Sequence, residues 1–169
     1  MLNRQAPEMA DAIDVLLREA QTIFFVDKYF GPENPRHRKP FEEFMSRVAA
    51  RDSSKLPDKV EYHCAAKSEL SFFRQECEMR IAPMIPVGVS VTFHRWAPSD
   101  LHNRYVLTEL GGVAFLEGLD QDTGSGRKQD VVCLLDKDVS DSLMPNYIEG
   151  STDYTHRDAC TIPGSLIKD

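Results

Sequence analysis

Three polar side chains carry the clearest chemical potential in this chain. They are spaced as His102-x-Arg104-x-x-x-x-Glu109 and are followed by Gly111-Gly112 and Gly118-Leu119-Asp120. Near neutral pH an imidazole can attack phosphorus or shuttle a proton, and a guanidinium can hold two phosphate oxygens at once. Side chains on a strand alternate faces with period two, so His102 and Arg104 are expected to share a face and meet one ligand. The competing reading is plain: a histidine–arginine pair on a strand is more often part of a surface ion pair. Likewise Thr108, Glu109 and Gly111 equally well build a hairpin turn.

The same residues resemble the His-x-Lys-x-x-x-x-Asp motif of the phospholipase D superfamily, with Arg104 in the place of lysine and Glu109 in the place of aspartate. The likeness is closer to the phospholipase-D-like domain at the C-terminus of MIT-domain proteins and to its bacterial relatives. There His-Asp-Arg, an apolar strand, a Thr-Asp/Glu turn, a glycine, a second strand and Gly-Leu-Asp recur. His102, Arg104, Thr108, Glu109, Gly111, Gly118, Leu119 and Asp120 match that pattern, and Asn103 departs from it. The segment from Phe25 to Gly31 resembles the first strand of those domains, with Lys28 where proline is usual.

The resemblance implies a single phospholipase-D-like lobe over residues 1–137, followed by a C-terminal tail, 138–169, whose order against the domain the sequence leaves open. It also implies two modes of use. As a catalyst the chain would supply one of two motif copies, so a homodimer would face two His102 side chains across a metal-independent phosphodiesterase site, most plausibly that of a nuclease. One His102 would form a phosphohistidine and the other protonate the leaving oxygen, while Arg104 stabilised phosphoryl charge and Glu109 oriented an imidazole. As a binding module the chain would hold a phosphate-containing ligand or a protein partner at the His102 and Arg104 face without turnover, as an accessory of a larger assembly such as a bacterial defence complex. Arginine for lysine exchanges a compact ammonium for a planar fork, and glutamate for aspartate adds a methylene where geometry is tight. Relatives with the arginine form look like binding modules, so the non-catalytic reading is preferred. A pure protein-interaction adaptor is the third class.

Further ligand-binding candidates are Asp27 and Lys28 at the end of the first strand, Asp120 as a brace for the His102 site, and Arg36, Arg38 and Lys39. The last three lie in the run Arg36-His37-Arg38-Lys39 between Pro35 and Pro40, whose plain reading is a solvated loop. Trp96, the single tryptophan, reads as core packing rather than a base-stacking platform. Histidine and cysteine spacing matches no metal site, and neither a metal nor a cofactor is expected. Cys64 and Cys133 sit in apolar runs and are expected to be buried.

The bulk numbers bound these readings. At 169 residues with 41% hydrophobic content the chain suits one domain with one core. A net charge of −7 argues against indiscriminate coating of nucleic acid or anionic membrane, and leaves nucleic acid as a partner only at a local basic site. No apolar run is long enough to span a bilayer, no secretory segment opens the chain, and the four cysteines are widely spaced, so a reducing cytoplasm is expected.

Apolar spacing predicts a helix over 7–20, a strand over 22–26 ending at Asp27, and a helix opened by Pro40 with Phe41, Phe44, Met45 and Val48 inward. A strand over 60–65 and a helix capped by Ser68 follow. Strands are then expected over 87–96, 104–107, 113–116 and 131–135, with a polar turn over 121–129. This order implies an α/β fold, a mixed β-sheet flanked by helices, with parallel pairing early and antiparallel pairing later. Asp27 would sit at the carboxyl end of a strand, where sites gather in such sheets, and His102 would have to lie near it.

Overall fold

The strands are the β-branched and aromatic runs, and the most continuous of these lies at the centre of the sheet. The computed structural model describes residues 1–151 and 153–169. The chain runs β1 (Leu2–Asn3), α1 (Ala6–Ala12), α2 (Asp14–Glu19), β2 (Thr22–Val26), α3 (Pro35–Ala49), β3 (Lys59–Ala65) and α4 (Leu70–Arg80). It continues through β4 (Ser90–Trp96), β5 (Tyr105–Thr108), β6 (Gly111–Phe115), β7 (Gln129–Asp130), β8 (Val132–Leu135), α5 (Lys137–Leu143) and β9 (His156–Pro163). One seven-stranded sheet has the order β8-β6-β5-β2-β3-β4-β9, and β1 pairs with β7 in a separate ribbon. Strands β2, β3 and β4 are parallel, and every other pair is antiparallel. The fold is therefore α/β with a large mixed sheet flanked by helices.

Ile23, Phe24, Phe25 and Val26 of β2 are all buried because both faces of the sheet are covered. On one face α1 to α4 deliver Met9, Leu17, Phe41, Phe44 and Phe73 onto Phe25, Tyr62 and Phe93. Phe44 stacks on Phe25 at 5.5 Å between centroids. The other face is smaller. There Phe24, Val26, Trp96 and Leu107 are covered by Leu143 of α5, by Met144 and Tyr147 in the 3-10 turn after it, and by Tyr154.

Four local features differ from the expectations above. The basic run 36–39 is the first turn of α3, not a loop. Pro35 is tolerated at the helix start, and the Asn34 side chain accepts from the Arg36 backbone N–H at 3.0 Å. The long N-terminal helix breaks at Ile13 into α1 and α2. Cys133 is exposed, because β8 is a sheet edge with a partner on one side only. The segment beyond 138 is no appendage: it completes α5 and supplies β9, whose Asp158 holds the buried Arg95 of β4 through two bonds of 2.6 and 2.8 Å.

Candidate functional site

Register places the site at one end of the sheet. Because β5 is antiparallel to β2 with Val26 opposite Tyr105, the residue before β5, Arg104, falls beside the residue after β2, Asp27. Asp27 is buried, and its two carboxylate oxygens accept from the backbone N–H groups of Tyr29 at 2.9 Å and Leu119 at 2.8 Å. It thus ties the carboxyl end of β2 to the loop after β6. That approach is close enough to require glycine at 118: its φ is +129°, and a Cβ there would stand 2.9 Å from Asp120 Oδ1 and 3.0 Å from Asp27 Oδ2.

The loop is also strapped to the first residues of the chain and to α3. Asp120 bridges two guanidiniums, with Arg4 Nη2 at 2.6 Å from Oδ1 and Arg36 Nη2 at 2.6 Å from Oδ2. Each arginine is held a second time through its backbone carbonyl, Arg4 by the N–H of Asp122 at 2.8 Å and Arg36 by that of Gln121 at 2.9 Å. The second contact follows from sequence. In an α-helix the Arg36 carbonyl would accept from residue 40, and Pro40 has no N–H to give. The proline inside α3 therefore leaves a carbonyl free to dock the loop.

Together these elements line a cleft of about 460 Å³ formed by Arg4, Tyr29, Asn34, Arg36, His37, Arg104, Glu117, Asp120, Gly126 and Arg127. Five buried side-chain polar atoms lack a protein partner among the described residues, and four of them belong to this lining: Arg4 Nε, Arg36 Nε, Arg104 Nε and His37 Nδ1. An unmet buried donor costs about 1–3 kcal/mol, so three guanidinium N–H groups in one place describe a site shaped for an acceptor the chain does not itself supply. Four guanidiniums face two carboxylates here, a local positive excess on a chain of net charge −7. Arg127 pairs with Glu117 at 2.8 Å, and Arg4 and Arg36 share Asp120. Arg104 has no carboxylate partner among the described residues; its one bond is to the Leu116 carbonyl, at 3.4 Å. Burial pushes the His37 imidazole below its ordinary pKa, against the pull of Asp27 and Asp120, and its Nδ1 is unpartnered.

At the mouth Tyr29 is half exposed. Lys28 Nζ, Lys67 Nζ and Arg104 Cζ lie 5.1, 4.6 and 5.4 Å from its ring centroid. No group of His, Cys, Asp and Glu among the described residues could hold a metal ion.

Of the residues expected from sequence, the structure brings Asp27, Lys28, Arg36, Arg104 and Asp120 together and leaves four others apart. His102 belongs to the connection before β5, so strand alternation does not govern it. It is exposed and lines a separate shallow depression with Tyr105, Ala114, Phe115 and Leu116, of which Arg104 forms one wall. Glu109 lies at the far end of β5 and accepts the backbone N–H groups of Gln21 at 2.5 Å and Thr22 at 3.0 Å. A four-residue strand separates it from Arg104, so it orients no imidazole. Arg38 turns back to the Pro32 carbonyl at 3.0 Å, and Lys39 is exposed on α3 outside the cleft lining. Sequence reasoning missed Arg4, Tyr29, His37 and Arg127. His37 lies inside the basic run 36–39; a lone arginine four residues into the chain carries no pattern.

No protein-family model matches the chain, and none of the curated proteins matches it. Among solved structures, that of TrmBL2, an archaeal chromatin protein described as showing a novel mode of DNA binding, is similar over 93% of this chain, with a TM-score of 0.48 and 12% sequence identity. This chain spans 54% of that one. Among the described residues no helix is long and apolar enough to cross a membrane.

Proposed function

We propose that this chain is a non-catalytic phospholipase-D-like module that binds a phosphate-containing ligand in the cleft between α3, the residue before β5 and the loop after β6. The observation that carries the reading is the convergence of three buried, unpartnered guanidinium N–H groups, from Arg4, Arg36 and Arg104, on one cavity, with the unpartnered His37 Nδ1 beside them. A phosphate offers acceptor oxygens on every side and a charge that matches the local excess, and a guanidinium meets it through a planar fork. Arg104 is the principal contact, because it alone among the four arginines gives up no ion pair when the ligand binds.

The phosphodiesterase alternative finds less support. A nucleophilic histidine works when a second group orients it, whereas His102 is exposed, has no hydrogen-bond partner among the described residues, and lies a strand's length from Glu109. Calorimetric titration of the chain with inorganic pyrophosphate tests the proposal. Binding is expected to weaken about tenfold or more in Arg104→Ala, the loss of one strong charge-assisted contact. The absence of any heat or thermal stabilisation in the wild type would refute it. Hydrolysis of a phosphodiester in EDTA, abolished by His102→Ala, would establish the catalytic alternative instead.

A further inference from the structure

We infer that the phosphate belongs to the end of a nucleic-acid strand: the terminal phosphate enters the cleft, the adjoining nucleotide lies against Tyr29, and the next diester meets Lys28 and Lys67. This rests on the phosphate-binding reading above and names its ligand class.

The cleft has an inner and an outer station. Its inner wall is built from nearly inaccessible groups, Arg4 at 4% and His37 at 6% exposure, with the loop 118–128 strapped across by the Asp120 bridge and two backbone bonds. A continuous backbone cannot run past buried residues, but a terminal phosphate can project onto them. The outer station is of another kind. Tyr29 is 50% exposed, and neither Lys28 nor Lys67, which flank it, pairs with a carboxylate among the described residues. An exposed aromatic ring with flexible cations around it, next to a phosphate pocket, matches what an unpaired nucleotide presents: a flat π-face and a following anionic link. Arg104 stands at the junction, facing the cleft and lying 5.4 Å from the Tyr29 centroid. The remaining surface is net acidic, so attraction is confined to this mouth and favours one strand end over lengthwise coating. A lipid phosphate fits less well. An apolar groove with exposed Val15, Leu110 and Leu134 lies by the α1–α2 junction and β8 and shares no residue with the cleft.

Fluorescence anisotropy with short single-stranded oligonucleotides carrying a 5′-phosphate, a 3′-phosphate or hydroxyls at both ends, alongside pyrophosphate calorimetry, tests this inference. One phosphorylated end is expected to bind at least about tenfold tighter than the hydroxyl form. Tyr29→Leu should weaken that binding about fivefold or more, and Tyr29→Trp should restore it. Lys67→Gln should flatten the salt dependence of oligonucleotide binding by roughly 0.7 in log–log slope. Pyrophosphate binding with no preference for a phosphorylated end would overturn the inference and spare the phosphate reading; failure of both ligands would remove both. Capture by phosphatidic acid vesicles but not by oligonucleotides would assign the cleft to lipid and equally overturn it.

Discussion

Asp120 is the residue on which the cleft turns, because it already plays the part of an anion for Arg4 and Arg36. With bonds of 2.6 Å to each, it neutralises two guanidiniums, one of them 4% exposed. Asp120→Asn keeps the shape and removes the charge, leaving Arg4 as an uncompensated buried cation. We expect a loss of roughly 2–3 kcal/mol in anion-free buffer, measured by urea unfolding, since breaking a buried pair from one side is strongly destabilising. Phosphate should then stabilise the variant more than the wild type, because the vacated acceptor positions pass to the ligand. Equal stabilisation of the two proteins would mean that the inner arginines take no part in binding. Arg104 differs: it is partly exposed and has no ion pair among the described residues, so Arg104→Ala should shift the unfolding midpoint little while it lowers affinity.

At the level of elements, the sheet was legible and the placement of the histidine was not. β2, β3 and β4 are continuous or alternating apolar runs whose hydrophobic side chains must be buried, so composition alone locates them. The mixed parallel and antiparallel order followed from the helices between β2, β3 and β4 and their absence from β4 to β8. The extrapolation that failed was local. Alternation was carried three residues upstream of the true start of β5, and His102 was placed on a face it does not occupy. Prolines misled in the same way at α3: the run between Pro35 and Pro40 read as a loop with the helix opened by Pro40, yet Pro35 opens the helix and Pro40 sits buried within it, and the Arg36 carbonyl it leaves free accepts from the Gln121 N–H. Glu109 was drawn into the site by motif spacing, whereas its carboxylate clamps the start of β2 to the β5–β6 turn. Glu109→Ala should therefore cost about 1–2 kcal/mol of stability by chemical denaturation, with pyrophosphate affinity unchanged. A drop in affinity without a loss of stability would return Glu109 to the site.

Across the whole molecule, the smaller face of the sheet carries a cluster of titratable groups that makes stability depend on pH. A row of histidines crosses it on three neighbouring strands: His63 of β3, His94 of β4 and His156 of β9. The Trp96 indole N–H donates to His63 Nδ1 at 3.0 Å, which fixes that imidazole as the neutral Nε2–H form, donating to Glu61 at 3.0 Å. Adding a proton at Nδ1 would set two donors face to face, so His63 cannot charge without breaking the Trp96 bond. Burial accordingly lowers the His63 pKa to about 4, despite Glu61, from an ordinary 6.5. Burial also lowers His156, with His94 beside it adding to the shift. For Glu61, burial alone would raise the pKa, but bonds from His63 and His94 outweigh it and hold the carboxyl at about 2. The signs agree. Between pH 6.5 and 4 the unfolded chain takes up the His63 proton that the folded chain refuses, so stability falls as pH falls through that window; below pH 4.5 the Glu61 contribution is lost in turn. The His63 share is about 2–3 kcal/mol by the time pH 4 is reached. Urea midpoints measured from neutral to acid pH should decline through this range before the carboxylates titrate, while the His63 ring resonances in NMR stay unshifted until the protein unfolds. A midpoint that stayed level down to pH 5, or a His63 resonance titrating near 6.5, would show that this face opens to water and that the Trp96–His63–Glu61 relay does not lock it.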